Sequence, residues 1–252
     1  MSLAREILST LSVTGISSIK HLGRKLGANL RDVEAAIHQI NQGPTFITRL
    51  EGEMVMLSQV SERLCAEKIR AVAGLDADRF SFEVTAKTAS TNDDLLALIR
   101  AGQAQDRLIR IAETQTAGRG TKGRQWISIP GGSVTFSMLR SVSSAAMLRG
   151  IATIPLVVGL SLVRSINALA DVDCRLKWPN DILFDKQKLA GVLIESTSIS
   201  GQCFVVIGIG VNICLPQTLI KDIDQPAIDL HSLGASIDSN VLVGSAVLEL
   251  DN

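Results

Sequence analysis

The chain has 252 residues, enough for one large core or two domains, and 46% of them are hydrophobic, so a compact folded protein is expected. Its 25 Lys and Arg cancel its 25 Asp and Glu, which removes bulk charge as a reason to expect nucleic acid or an anionic membrane as the main partner. The longest apolar runs, such as IATIPLVVGLSLV at 151–163, stop short of the ~20 residues of a membrane span, and no basic segment leads into an apolar one at the start.

The first 58 residues have their own logic. Leu3, Ile7 and Leu11 recur at helical spacing, and Ile19, Leu22 and Leu26 carry a second helix to Gly27. Asn29 is the expected N-cap of a third, with Leu30, Val33, Ile37 and Ile40 on one stripe. Two β-like segments, TFITRL and EMVMLS, meet around Glu51-Gly52. Three short helices and a hairpin predict a winged helix-turn-helix over residues 1–59.

Residues 60–252 read differently. An amphipathic helix in SERLCAEKIRAVAG ends at Gly74, and a strand at 82–90 leads into a helix marked at its start by Ser90, Thr91 and Asn92. A strand at 107–117 enters a glycine-rich loop, SVTFSMLR forms the next strand, and a long helix covers roughly 147–169. Strands then surround the turn in DCRLKWPND, ILFD and KLAGVLIESTS, QCFVVIGIGVNI is a buried strand, and a helix starts in DSNVLVGSAVLELDN. Strands outnumber helices without alternating with them, so the fold class is α+β rather than a doubly wound sheet.

The four cysteines, Cys65, Cys174, Cys203 and Cys214, form no C-x-x-C pair, which predicts buried thiols in a reduced, cytoplasmic protein. His21, His38 and His231 are too few and too scattered for a His-based metal site or a Ser-His-Asp triad.

Gly118-Arg119-Gly120-Thr121-Lys122-Gly123 spells G-x-G-x-x-G. A dinucleotide fold needs those glycines to open a helix, but RQWISIPGG follows, with Trp126 and β-branched Ile127 and Ile129. The kinase reading fails separately, because the chain has no H-R-D or D-F-G. A loop with three glycines and Arg119, Lys122 and Arg124 can instead order over a phosphorylated ligand through backbone N–H groups and cations. Lys177 to Asp181 set a cation, an aromatic, a rigid proline, an amide and a carboxylate around one turn, while KLAG brings Lys188 beside small residues. GIGVN ends an apolar strand with Gly208, Gly210 and Asn212. These groups stabilise negative charge in phosphate chemistry and include no nucleophile–base pair for covalent catalysis.

In order and spacing, STN (90–92), ETQTAGRGTKGRQW (113–126), KWPND (177–181), KLAG (188–191) and GIGVN (208–212) resemble the biotin protein ligases. With the winged helix in front, the chain resembles the bacterial type that also represses biotin-synthesis genes. The resemblance implies a class II synthetase-like biotin/lipoate ligase domain with a mixed β-sheet flanked by helices. It implies ATP, Mg²⁺ and biotin as ligands, with biotin activated to biotinyl-5′-AMP and passed to a lysine of the biotin carboxyl carrier protein of acetyl-CoA carboxylase. Biotin contacts are then expected from Ser90, Thr91, Asn92, Gln115, Gly118, Arg119, Trp126, Lys188, Gly191 and Leu193. The ATP and adenylate side falls to Lys122, Arg124, Trp126, Lys177, Asn180, Gly208 and Asn212. Lys188, Lys177, Arg119 and Asp181 carry the catalysis, with Asp181 toward Mg²⁺. Operator DNA and a second copy of the chain, joined on ligand binding, are the further partners implied, with Lys20, Arg24, Lys25 and Arg31 contacting phosphates. No membrane partner is implied.

Three departures qualify this. The family often has Arg where this chain has Thr121, so a looser hold on the adenylate is expected unless Lys122 compensates. Bacterial members usually continue into a small β-barrel domain, and this chain stops inside the helix before it, so that domain is expected to be absent. The third helix carries Asp32 and Glu34, and residues 1–58 hold six Lys/Arg against five Asp/Glu, a net of only +1. Two alternatives follow: a regulator that senses biotinyl-5′-AMP with impaired ligase activity, and a lipoate-type ligase.

Overall fold

A computed structural model describes residues 3–14, 16–41, 47–49, 53–57, 63–74, 79–128, 131–143, 150–215, 223 and 225–251. The expected turn at Glu51-Gly52, the boundary at 59/60 and the start of the long helix at 147–149 lie outside the described residues.

The N-terminal unit runs α1 (Leu3–Thr14), β1 (Ile16–Ser18), α2 (Ile19–Leu26), α3 (Leu30–Ile40), β2 (Ile47–Arg49) and β3 (Met54–Leu57). The Ser18 hydroxyl accepts the His21 N–H to start α2, and Gly27, left-handed at φ 64°, ends it. Asn29 caps α3 as expected, its Oδ1 accepting the Asp32 N–H at 2.8 Å. Ile7, Leu11, Ile19, Leu22, Val33, Ile37 and Val55 meet in one buried cluster. Leu30 does not join the stripe expected of it. It occupies the first position of α3 and is 46% exposed. Strand β1 was not foreseen, because three residues are too few for alternation to register; it pairs with β3 in a sheet ordered β1-β3-β2.

The second unit contains α4 (Ala66–Ala73), β4 (Ser81–Thr85), α5 (Thr91–Arg100), β5 (Leu108–Ala112), β6 (Ser133–Val142), α6 (Ile154–Ala170), β7 (Arg175–Lys177), β8 (Asp181–Phe184), β9 (Gln187–Ile199), β10 (Gln202–Asn212) and α7 (Ser239–Asp251). Its strands form one sheet in the order β4-β5-β6-β10-β9-β8-β7, with β4 and β5 parallel and the other named pairs antiparallel. This is the α+β arrangement expected. Among the described residues no helix is long and apolar enough to cross a membrane.

Alternation along the central strands assigns the two faces. Val134, Phe136 and Met138 of β6 and Val205, Ile207, Ile209 and Val211 of β10 share a core with residues of α4, α6 and α7. The alternate residues Leu139, Phe204 and Val206 pack against Leu95, Leu96 and Ile99 of α5. Farther along this second face the side chains of the two central strands become small or polar, with Ser137 and Thr135 on β6 and Gly208 and Gly210 on β10, beside Gly191 and the apolar Leu193 of β9. Register sets Gly208 between Ser137 and Leu193, and Gly210 between Thr135 and Gly191. Apolar cover stops there, leaving a recess.

Several expected elements are shorter in the structure, for identifiable reasons. The helix read from 61 onward starts only at Ala66, since Leu64 and Cys65 donate their N–H groups to Glu113 and Asn240 instead of a first helical turn. The strands expected at 82–90 and 107–117 form a regular ladder only through Thr85 and Ala112; beyond it they meet again at the single bridge Thr88–Gln115. That break lets the two chains diverge into the N-terminus of α5 and the glycine loop.

Candidate functional site

The recess is bounded by the N-terminus of α5, strands β9 and β10, and the glycine loop. Ser90 caps α5, its hydroxyl accepting the Asp93 N–H at 3.4 Å, which sets Thr91 and Asn92 at the opening of the helix. The Thr91 N–H donates to Gln115 Oε1 at 2.7 Å, linking the helix to the strand end opposite. Asn92 is buried; a Cβ on Gly208 would come within 2.4 Å of its Oδ1, so only glycine at 208 leaves it room.

The loop is a small hairpin. Trp126 N–H donates to the Gly118 carbonyl at 2.9 Å and Gly120 N–H to the Arg124 carbonyl at 2.7 Å, with a 3₁₀ turn at Thr121–Gly123 as its tip. The absence of a helix after the glycines agrees with the sequence. Gly118 forms the neck, where a Cβ would meet the Trp126 carbonyl at 2.5 Å. Arg119 ties the hairpin down: its guanidinium donates to both oxygens of Glu195, at 2.9 and 2.7 Å, and to Asp93 Oδ1 at 2.6 Å. Hydrogen bonding to Glu195, with attraction from Glu195 and Asp93, outweighs burial and holds the Arg119 pKa above its ordinary value. Arg124 donates to Gln225 Oε1 at 2.9 Å.

Two adjoining cavities result. The first, about 440 Å³ and open to solvent, is lined by Ser90–Asn92, Gln115, Arg119, Gly191, Leu193 and Gly208, among others. The second, about 960 Å³, is lined by Arg124, Ile127, Asn212, Leu215, Gln225 and Ala227. Gly120, Thr121, Trp126 and Lys188 line both. The Trp126 indole lies over the cross-strand glycines, since a Cβ on Gly210 would fall 2.3 Å from its ring and one on Gly191 3.5 Å. Lys188 Nζ stands 5.9 Å from the ring centroid and 2.6 Å from Asp181 Oδ1, with both charged side chains largely buried. Asn212 donates to the carbonyls of Lys188 and Ile228, which fixes the backbone beneath that lysine.

Residues 84–212 match the biotin/lipoate A/B protein ligase family. The chain belongs to this family. The bifunctional ligase/repressor BirA of Salmonella typhimurium is 29% identical over 246 residues, covering 97% of this chain and 74% of that protein. The biotin–[acetyl-CoA-carboxylase] ligase of Mycobacterium tuberculosis is 37% identical over 174 residues, covering 67% of this chain and 62% of its own. A solved biotin protein ligase from Aquifex aeolicus, in complex with biotin and ATP, superposes with a TM-score of 0.55 at 26% identity, covering 68% of this chain and 69% of that one.

Within this biotin/lipoate ligase the residues expected to hold biotin converge on the first cavity, Gly118 excepted, which shapes the loop neck instead. Of the expected adenylate side, Arg124 and Asn212 line the second cavity and Trp126 lines both. Gly208 and Asn180 depart from that grouping: both line the first cavity, Gly208 under Asn92. Lys122 and Lys177 line neither; they border an outer hollow with Trp178, Asn180 and Asp181. Among the described residues no group of three or more His, Cys, Asp or Glu is gathered for a metal, and Asp181 already faces Lys188. Of the cations expected at DNA, Lys20 pairs with Glu53 at 3.0 Å, while Arg24, Lys25 and Arg31 are exposed.

Sequence reasoning missed Glu195, Asp93 and Ser137, and it singled out Gly210 only as part of GIGVN, without its place under Trp126. Gly210 and Ser137 carry a signal in hindsight, being small or polar at alternate positions of apolar strands. Glu195 carries none, because its partner Arg119 is 76 positions away.

Proposed function

We propose that the protein is a cytoplasmic biotin protein ligase. Biotin's carboxylate oxygen attacks the α-phosphate of ATP, forming a new O–P bond as pyrophosphate leaves. A lysine amine of the biotin carboxyl carrier protein of acetyl-CoA carboxylase then attacks the mixed anhydride, forming the amide as AMP departs and the amine gives up its proton. The observation that carries this reading is the shared wall of the two cavities, where one lysine, Lys188, and one indole, Trp126, border both. A cation at that junction offsets repulsion between two anionic reactants and the charge of the pentavalent transition state. The hairpin of residues 118–126 is the lid that keeps water from the anhydride. Asp181 is a single carboxylate engaged with Lys188, which suits Mg²⁺ arriving on the phosphates of ATP rather than held in a protein cage.

Pyrophosphate release with Mg·ATP and either biotin or lipoate tests the reading. Release is expected with biotin and not with lipoate; the reverse result assigns the chain to the lipoate ligases.

A second reading concerns regulation. Residues 1–59 are a winged helix-turn-helix and 60–252 a class II synthetase-like ligase domain, so that biotinyl-5′-AMP drives homodimerisation and operator binding. The order α2, turn, α3, hairpin supports it, as does the ligase/repressor relative that spans both units. Operator retention that requires biotin and ATP is the expected outcome, and none at low salt rejects it.

A further inference from the structure

Glu195 lines neither of the two cavities, yet it dictates the direction of a row of hydrogen bonds that ends in the first. Its carboxylate only accepts. Asn92, whose amide lies 2.8 Å from Glu195 Oε2, must therefore turn its NH₂ outward to Glu195 and its oxygen inward. Inward of it three oxygen–oxygen contacts follow in sequence: Asn92 Oδ1 to Ser137 Oγ at 2.6 Å, Ser137 Oγ to Thr91 Oγ1 at 2.6 Å, and Thr91 Oγ1 to Gln115 Oε1 at 3.1 Å. The far end is fixed as well, because the Thr91 N–H donates to Gln115 Oε1 at 2.7 Å and so identifies that atom as the oxygen. Two hydroxyl hydrogens must serve three contacts. Every oxygen still has a partner when the hydrogens run from Thr91 to Ser137 to Asn92, since Gln115 Oε1 accepts the Thr91 N–H; no hydrogen then lies between Thr91 Oγ1 and Gln115 Oε1, and both keep a lone pair for a donor arriving from the cavity. Thr91, Asn92 and Gln115 all line the first cavity.

We infer that Glu195 is a specificity-determining positioning residue: by orienting Asn92 it keeps this cavity floor short of one hydrogen, so that the floor selects a ligand ring bearing N–H groups. The inference rests on the biotin ligase reading. Biotin's cyclic urea carries two such N–H groups and the dithiolane of lipoate carries none. A site built to receive donors rejects an analogue lacking them far more strongly than a change of shape alone would. Turned the other way, Asn92 would supply the missing hydrogen itself, and the floor would lose its demand for the ligand's.

Glutamine at 195 allows that reversal, since its NH₂ can donate to Asn92 Oδ1. Pyrophosphate release is measured for the wild type, Glu195→Gln and Glu195→Asp with biotin and with biotin methylated at one ureido nitrogen. Glu195→Gln is expected to raise the KM for biotin tenfold or more while kcat and the KM for ATP stay within threefold. The preference for biotin over the methylated analogue is expected to shrink at least threefold in the glutamine variant and to persist in the aspartate one, which keeps the acceptor-only charge. A preserved preference in Glu195→Gln, or a loss confined to kcat and the KM for ATP, overturns the inference and leaves Glu195 a prop for the loop. Should Glu195→Gln fail to fold because Arg119 loses its partner, Ser137→Ala tests the row instead: it removes the hydroxyl that draws the Thr91 hydrogen toward Asn92, so the preference for biotin over the methylated analogue is expected to shrink there too, and an unmoved preference again overturns the inference. A wild type that releases no pyrophosphate with biotin sinks the ligase reading itself. An active wild type with an unmoved preference sinks only the inference.

Discussion

At the scale of single residues, Lys188 shows why charge at this site is costly to remove. Its ammonium is 2.6 Å from Asp181, and the two side chains are only 12% and 13% exposed. Alanine at 188 should slow adenylation by about a hundredfold or more, the usual cost of losing one preorganised charge at a developing anion. It should also strand Asp181, at roughly 3–5 kcal/mol of stability. Lys188→Ala/Asp181→Asn is then expected to recover melting temperature but not pyrophosphate release, and recovery of both would remove Lys188 from the chemistry. Thr121 raises a different question, as it borders both cavities and the outer hollow. Thr121→Arg adds a cation there and should cut the escape of biotinyl-5′-AMP into solution severalfold, measured as free adenylate per turnover. Burial pushes the Cys174 and Cys214 thiols up to about 11, so both should resist iodoacetamide at pH 8 until the protein is unfolded.

At the scale of elements, the site depends on which residues of neighbouring strands fall opposite one another. Gly210 and Gly191 are register partners and form a trough without Cβ atoms, which the Trp126 indole fills. Gly210→Ala must expel that ring and is expected to cost about 1–3 kcal/mol together with most ligase activity; denaturant midpoints and pyrophosphate release check the two parts. The link between β5 and the chain ahead of α4 titrates. Burial raises the pKa of Glu113, outweighing the Leu64 N–H it accepts and the attraction of Arg63. A carboxyl whose folded pKa lies above its unfolded value favours folding when protonated, so its contribution is complete below about 4.5 and is lost as pH rises through the raised value. Glu113→Gln, which can still accept that N–H, should flatten this fall in urea stability above pH 4.5. Much at this scale was legible beforehand. Caps at Asn29 and Ser90, the switch from strand to loop at the glycines, and the long strands β9 and β10 follow from local propensity and alternation. What the sequence withheld is register. Nothing near Gly210 announces Gly191 as its neighbour, and nothing near Arg119 announces Glu195. Local signals also overstated lengths wherever a backbone group found a distant partner, as at Leu64 and Cys65.

At the scale of the whole molecule, the balanced charge bears on the two units differently. The ligase unit works with local clusters, so a net charge of zero takes nothing from it. The N-terminal unit is another matter. α3 exposes Arg31 beside Asp32 and Glu34, and Lys20 is engaged by Glu53, which leaves three of the four expected phosphate contacts. At about −0.9 per neutralised phosphate, log K against log salt should then be no steeper than about −3. Anisotropy titrations of the chain without biotin or ATP on duplex DNA between 50 and 200 mM salt measure this, and a slope twice as steep would show either a basic surface beyond these residues or a second copy on the DNA.

The chain has just two tryptophans, one shared by the two cavities and one at the outer hollow. Trp126 is wedged between the glycine trough and Lys188, while Trp178 is 76% exposed at the outer hollow. The protein therefore contains its own pair of optical gauges. In an emission experiment with acrylamide, Trp178 forms the readily quenched fraction and Trp126 the shielded one. Substituting Phe for Trp178 isolates the second signal, so that any change around the hairpin of residues 118–126 can be followed as biotin and ATP are added, without a label.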